Sequence, residues 1–336
     1  MITAVHFRNF KALRSAAVRL EPFNLVIGPS GSGKTSLIQA LLRLRTLSGL
    51  PSFAKASEGK PVGTRPNGPE IEFHFAPPFQ NVRVTLGCNS DQLVCNLLTV
   101  DHPPGITGEG MWAEVRTQLQ GIRAFLFDHY AMAVPAKRSE GAELASNAAN
   151  LAAVLTARQT QAPEAMKKLE KDFCRILPEF GALDFRDAGD GRVELLAKLA
   201  DGSEVLPAEN LSQGTLYLLA ILCLAHDPHP PAIICLEEAD RGVHPRLLRE
   251  VRDACYRLSH PLEGSRAPVQ VIATTHSPYL LDLFRDHPEE IVLANKHGNA
   301  ATFERLSERA DLLELMKEAH LGDLWYSGIL GGVPGE

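Results

Sequence analysis

No window of the 336-residue chain approaches the roughly 18 uncharged apolar positions that a membrane span requires. The opening MITAVHFRNF also lacks the apolar stretch of a secretory leader, so a cytoplasmic protein with no membrane contact is expected. A basic excess is missing too. The formal net charge of −6 excludes a surface that is basic throughout, so any nucleic acid would have to meet a local patch or a concave face. The six cysteines, Cys88, Cys95, Cys174, Cys223, Cys235 and Cys255, sit mostly inside apolar runs and form no C-x-x-C pair. Neither a zinc site nor a disulfide framework is expected from that spacing, and a reducing compartment fits it. Internal repeats and heptad runs are absent, which excludes long coiled-coil arms.

What is present is ordinary globular material: 45% hydrophobic and 22% charged residues, enough for one large α/β domain or a core with a subdomain. ITAVHF and SAAVRL alternate as two short strands, and FNLVIG reads as a third that runs into a glycine-rich turn. A helix is predicted from Gly33 to about Leu47, and a surface loop between Ser48 and Pro69, where Gly, Pro, Ser and Lys dominate. EIEFHF, NVRVTLGC, DQLVCNLL and IRAFLFD then read as strands of an antiparallel or mixed sheet with no long helix among them. From Glu143 to Leu177 the pattern turns helical, with ELASNAANLAAVLTAR and PEAMKKLEKDFCRIL separated by a Thr-Gln-Ala-Pro break, which predicts a small helical subdomain. After RVELLAKL the chain alternates. Helices over Gln213–His226, Pro245–Leu258 and Pro278–Phe284 interleave with strands over Ala232–Leu236, Val269–Thr274 and Ile291–Ala294, a rhythm that implies a largely parallel sheet. The run Leu216–Ala225 suits a buried helix.

The chemistry is written in four short stretches. GPSGSGKT, Gly28 to Thr35, fits G-x-x-x-x-G-K-[ST] between a predicted strand and a predicted helix. Gly28, Gly31 and Gly33 would let backbone N–H groups close around phosphate, with Ser30, Ser32 and Ser36 beside them. Lys34 would reach the terminal phosphates and Thr35 would ligate Mg²⁺; the bland alternative is a glycine turn with a surface lysine. CLEEADRGVHP ends an apolar strand in two adjacent carboxylates, Glu237 and Glu238. Burying such a pair without a cation costs several kcal/mol, roughly. Beside a phosphate loop Glu237 would hold the metal shell and Glu238 would orient or deprotonate water; otherwise both are helix N-terminal charges before Pro245. LSQGT, Leu211 to Thr215, opens an all-apolar helix with Ser212 and Gly214 at its N-terminus, which taken alone is a good N-cap. ATTHSPYLLD sets His276 at a strand end, where most histidines are unremarkable.

Taken in this order and spacing, these stretches resemble the ATP-binding-cassette ATPases, in the branch that holds RecF, SMC and OLD proteins, and FRNFKAL (Phe7 to Leu13) strengthens the likeness. In most detail, through SNAANLAAVL and LGDLWYSGILGG, the chain resembles a stand-alone bacterial family of predicted AAA-type ATPases of that branch. The resemblance implies an α/β P-loop NTPase of ABC type: a mixed-sheet core, an antiparallel β subdomain and a small helical subdomain. It implies one composite ATPase domain, with a phosphate-loop lobe at 1–140, helices and connecting strands at 141–205, and a lobe at 206–336 carrying signature, paired glutamates and histidine. ATP and Mg²⁺ are the implied cofactors, held by Gly28, Ser30, Gly31, Ser32, Gly33, Lys34, Thr35 and Ser36, with Asn9 nearby and Thr35 and Glu237 on the metal. Lys34, Glu238 and His276 are the implied catalytic groups. The resemblance further implies a homodimer, head to tail around ATP, in which Ser212 and Gly214 of one copy would reach the nucleotide of the other and Asp240 would lie in the loop that crosses over. Partners in DNA repair or phage defence would be DNA or a separately encoded effector.

This sequence departs from the pattern in places. LSQGT puts its glutamine after the serine, Glu237 replaces the aspartate of transport cassettes, and Ala239-Asp240-Arg241 replaces a Pro-Glu-Asn. No glutamine stands in FLFDHYAM, where a metal-coupling one is expected, which leaves Asp128 or His129 as substitutes and Gln80 or Gln120 as weaker ones. The chain offers no room for a fused Toprim nuclease after Leu293, so intrinsic nuclease activity is not expected. A nucleotide-switched scaffold with negligible turnover and a transporter subunit stay open as alternatives. Arg43, Arg45, Lys55, Lys60, Arg65, Lys137, Arg138, Lys167, Lys168 and Lys171 could line a DNA path or be a solvated face.

Overall fold

Residues 1–50, 68–89, 94–139, 143–262, 264 and 266–331 are described by a computed structural model of the chain. In chain order, β1 (Ile2–Phe10), β2 (Leu13–Arg19), β3 (Phe23–Ile27), α1 (Lys34–Gly49), β4 (Glu70–Phe75), β5 (Arg83–Cys88), β6 (Cys95–Asp101), α2 (Ile106–Gln120) and β7 (Ile122–Phe125) come first. The middle holds α3 (His129–Ala133), β8 (Ala136–Lys137), α4 (Leu151–Gln161), α5 (Pro163–Ile176), β9 (Phe180–Asp187), β10 (Arg192–Leu199), β11 (Val205–Pro207) and α6 (Gln213–Ala225). Then follow β12 (Ile233–Leu236), α7 (Leu248–Ser259), β13 (Gln270–Thr275), α8 (Pro278–Asp282), β14 (Ile291–His297), β15 (Ala300–Arg305), α9 (Leu312–Glu318) and α10 (Leu321–Tyr326).

Two compact units share these elements. The first gathers Met1–Ala124, Pro231–Glu237 and Pro268–Glu336; the second gathers Phe125–Pro230 and Glu238–Ala267. The first unit has an antiparallel sheet in the order β2-β1-β4-β5-β6. Alternation sorts its faces: Val5, Phe7, Ile71, Phe73, Val84 and Leu86 are buried, while His6, Arg8, Glu70, Glu72, His74 and Arg83 alternate with them on the other side. Its second sheet runs β15-β14-β3-β13-β12-β7, with β14, β3, β13 and β12 parallel to one another in that order and β15 antiparallel to β14. Every residue of β3, β12 and β13 is buried, the signature of parallel strands covered on both faces. Gln270 is fully buried, and its amide accepts from Ile2 N at 3.0 Å and donates to Ile2 O at 2.7 Å and Glu21 O at 3.1 Å. Each such bond contributes about 1 kcal/mol net, and the set ties the start of β1 to the start of β13.

The second unit has a sheet of β11-β10-β8 with β9 paired to β10. On α5, Met166, Leu169 and Phe173 fall on one face and are buried, the i, i+3, i+7 stripe of an amphipathic helix. On α6 every residue from Thr215 to Ala225 is buried, as an apolar helix must be when it lies inside a core. Polar groups close the same core: Arg158 pairs with Asp227 at 2.5 Å and also donates to the Cys223 carbonyl.

Several expectations are corrected. Cys88 and Cys95 form a disulfide, because the β5–β6 register sets them opposite each other. Cys174, Cys223, Cys235 and Cys255 are free thiols. The strand run predicted without a long helix contains α2, whose Trp112, Val115 and Leu119 are buried. The helix predicted from Glu143 starts only at Leu151, since Asn150 Oδ1 accepts from Ala145 N at 2.8 Å, Asn147 Oδ1 accepts from Ala149 N at 3.1 Å, and Ala148 is left-handed at φ 57°. Short polar side chains here outcompete the helical bonds. The helix predicted from Pro245 begins as one 3-10 turn, Pro245–Leu247, before α7. Most of the loop predicted between Ser48 and Pro69, with Lys55, Lys60 and Arg65, lies outside the described residues. Among the described residues no helix is long and apolar enough to cross a membrane.

Candidate active site

Strand register assembles the site in the first unit. Thr275 of β13 and Leu293 of β14 both lie beside Ile27 of β3, and Leu236 of β12 lies beside Ala273. Gly28 follows Ile27, Glu237 follows Leu236 and His276 follows Thr275, so all three leave the same edge of one parallel sheet. Carboxyl ends of parallel strands are where α/β proteins hold ligands.

The loop Gly28–Thr35 joins the buried strand β3 to helix α1. A Cβ on Gly28 would lie 2.2 Å from the Ala294 carbonyl oxygen, so only glycine lets β3 and β14 approach there. Gly31 and Gly33 adopt φ of 76° and 97°, which other residues rarely do. Helix α1 starts at once, with no acidic residue in its first turn to neutralise the positive end of its dipole. Lys34 is buried, and its Nζ donates to the carbonyls of Gly28 at 2.6 Å and Pro29 at 2.8 Å. Thr35 Oγ1 donates to Glu237 Oε2 at 3.3 Å, which brings hydroxyl and carboxylate together as two ligands of one cation would be. Ser32 Oγ is buried without a hydrogen-bond partner, while Ser30 is exposed and Ser36 half-buried. An orphaned hydroxyl, a backbone cradle and a lysine folded onto that cradle fit the phosphates of a nucleotide, with Thr35 and Glu237 fitting Mg²⁺.

Around this core, His276 is exposed at the end of β13, where Thr275 Oγ1 accepts from Ser277 N at 2.9 Å and Ser277 caps α8. Asn9 is exposed near the end of β1, just before the Lys11–Ala12 turn into β2, with φ 52°. That turn is close to the loop, since a Cβ on Gly33 would come within 3.0 Å of the Leu13 side chain. Sequence reasoning missed Lys296 on β14, whose Nζ lies 3.4 Å from where a Cβ of Gly31 would be. No local motif marks it; only the β3–β14 pairing brings it to the loop.

The other candidates belong to the second unit. Ser212 N-caps α6, its Oγ accepting from Thr215 N at 3.1 Å and lying 2.8 Å from Thr215 Oγ1. Gly214 has a packing reason to be glycine: a Cβ there would sit 2.6 Å from the Gly242 carbonyl oxygen. Gly242, at φ 66°, is in turn covered by the Gln213 side chain, so LSQGT and the 238–243 turn form one piece. Within that turn Glu238 is left-handed at φ 52°, exposed, and 3.6 Å from Arg241, and the Asp240 carbonyl accepts from Val243 N at 3.1 Å. A non-glycine residue held left-handed costs about 1 kcal/mol or more, a strain that clusters at functional turns. Asp128 caps α3, accepting from Tyr130 N at 3.0 Å, which gives it a structural duty of its own. Of the suggested DNA path, Arg43 donates to the Cys95 carbonyl and Lys167 pairs with Glu164 at 2.9 Å.

A glycine-rich loop between a buried strand and a helix, in a mixed sheet flanked by an antiparallel one, is the fold that SMC head domains share. More narrowly, residues 131–282 match the family described as "AAA domain, putative AbiEii toxin, Type IV TA system". Among solved structures, the chain is similar to an SMC head bound to the C-winged helix domain of ScpA. The TM-score is 0.57 at 14% identity, over 90% of this chain and 97% of that one. An SMC head with an extended coiled coil, bound to the C-terminal domain of ScpA and derived from Pyrococcus furiosus, gives 0.54 at 13% identity, over 94% of this chain and 99% of that one. No curated protein matches the sequence.

Proposed function

We propose that the chain is an ATP-hydrolysing switch that dimerises head to tail around ATP and acts on DNA or through a separately encoded protein. The observation that carries this reading is the shared strand edge, where the loop Gly28–Thr35, Glu237 and His276 emerge together. Bound magnesium nucleotide supplies the phosphoanhydride bond and the cation that offsets its charge. The Gly28–Lys34 backbone and Lys34 Nζ hold the phosphates, and Thr35 and Glu237 hold the metal. Glu238 orients and deprotonates the attacking water, and His276 donates toward the terminal phosphate. Ser212 and Gly214 serve the nucleotide of a second copy, with Asp240 in the turn that meets it. ATP then joins the copies and hydrolysis releases them.

The family description names a toxin–antitoxin setting, and both similar SMC heads are bound to a domain of a separate protein, which favours a protein partner over a membrane permease. Phosphate release by wild type and by Glu238→Gln tests the reading. The variant should fall about 100-fold or more while still binding ATP, and should run as a dimer only when ATP is present. Equal rates in the two proteins would leave a scaffold without turnover. Repeating the sizing with duplex DNA over a salt series separates a DNA partner, whose binding weakens steeply with salt, from a protein partner.

A further inference from the structure

We propose that His6, Glu72 and His74 form a binding site for a divalent first-row transition ion, with Zn²⁺ the best fit, on the polar face of the antiparallel sheet. Strands β1 and β4 pair so that His6 lies opposite Glu72, and His74 follows two residues later on the same face. Their ligand atoms all lie within 4.8 Å of one another. His74 Nε2 is 2.6 Å from Glu72 Oε1, and the His6 and His74 ring centroids are 4.8 Å apart.

Ligands of a tetrahedral zinc, with bonds of about 2.0–2.1 Å, stand about 3.3 Å from one another. The Glu72–His74 pair must therefore open by less than an ångström and His6 must close by about 1.5 Å at most, movements within reach of side-chain rotation. The backbone need not move. β1 lies between β2 and β4, and β4 between β1 and β5, so both ligand-bearing strands are hydrogen-bonded on each side and hold the three Cβ atoms in place before any ion arrives. His6 is exposed, which gives the ion an entry path, and water would complete the coordination.

The donor set decides the ion. Two imidazoles and one carboxylate suit Zn²⁺, Ni²⁺ or Cu²⁺, whereas Mg²⁺ and Ca²⁺ prefer oxygen alone. This separates the site from the Thr35–Glu237 pair, which offers only oxygen. Arg83 is the built-in competitor, its Nε lying 3.6 Å from Glu72 Oε1. A bound cation would displace it toward Asp101, its partner in the β5–β6 register.

The untagged full chain, stripped with chelator, is titrated with Zn²⁺ in the absence of nucleotide. One equivalent should bind; His6→Ala and His74→Ala should each weaken it tenfold or more, Arg83→Ala should tighten it, and Glu237→Gln should leave it unchanged. Unchanged affinity in both histidine variants, or a loss confined to Glu237→Gln, overturns the proposal. Should the histidine variants fail to fold, wild type settles it: Zn²⁺ should protect His6 and His74 from acylation by diethylpyrocarbonate, and equal modification with and without Zn²⁺ overturns the site.

Discussion

In the first unit the groups proposed to face phosphate leave the ends of parallel strands, and their places follow from strand register alone. In the second, Ser212 and Gly214 open a helix whose residues from Thr215 on are buried, and each already has a partner in its own unit: Ser212 bonds Thr215, and Gly214 lies against Gly242. The first arrangement leaves a buried hydroxyl, Ser32 Oγ, with no partner. The second is locally closed at Gly214. A cradle waiting for an anion and a helix start with satisfied geometry are what a two-copy site would need: one copy holds the nucleotide and the other presents a preformed face.

The largest expected effect breaks that comparison directly. Lys34→Ala should lower phosphate release about 100-fold or more by removing the buried cation of the cradle. Ser212→Arg should do the same from the other unit, and mixing the two inactive variants should recover about a quarter of wild-type activity. Half of a random mixture is heterodimer, and each heterodimer has one intact site of two. Without recovery in the mixture, the second unit does not serve a partner's nucleotide.

Next come the two close approaches. Gly28→Ala places a methyl 2.2 Å from the Ala294 oxygen and should abolish nucleotide binding, because β3 and β14 must part to admit it. Gly214→Ala meets the Gly242 oxygen at 2.6 Å and should cost roughly 1–3 kcal/mol of stability, read as a lower thermal midpoint. If Gly214→Ala melts as wild type does yet loses activity, the glycine serves phosphate and not packing.

These contrasts explain what the sequence could reveal. Strand, glycine turn and helix are contiguous at Gly28–Thr35, so the cradle was legible from local spacing, and the βα rhythm that follows gave the parallel sheet. Whatever depends on pairing was not. Cys88 and Cys95 meet only through the hairpin register, and Lys296 reaches the loop only through β14. Helix α2 was hidden by its own glycines: Gly108 is needed where a Cβ would meet the Pro103 carbonyl at 1.6 Å, which breaks up the apolar pattern of Trp112, Val115 and Leu119. Around Asn147 and Asn150, side-chain bonds to the backbone override a composition that reads as helix.

A smaller effect sharpens the first side of the comparison. Lys296 adds a cation beside Gly31 that no motif announces. Lys296→Ala should weaken nucleotide binding about three- to tenfold, the scale of one partly screened charge, with little change in turnover at saturation. Titration of a fluorescent ATP analogue at low and high salt checks this. An equal loss at both salt levels would mean the lysine acts by shape.

The smallest effect concerns the second unit and is a slope. His226 Nε2 lies 2.8 Å from both Asp172 Oδ2 and Arg257 Nη1. Burial holds this imidazole below its ordinary value of 6.5, with Arg257 adding to the fall and Asp172 opposing it. Burial pushes the Asp172 carboxyl up, but its hydrogen bonds from Arg257 and His226 outweigh that and hold it below 3.8. Both folded states release protons more readily than the unfolded chain does. The His226 contribution is therefore complete above 6.5 and is lost as pH falls through that value toward the folded one, while that of Asp172 is lost only below 3.8. Of the two, the histidine is the one that should lower the urea midpoint between pH 8 and pH 5, beside the Met1 amino group that burial holds below 8.0, and His226→Gln should flatten that decline in part without removing the Asp172–Arg257 pair. A variant whose midpoint falls as steeply as wild type would place the acid sensitivity at another group, the Met1 amino group first.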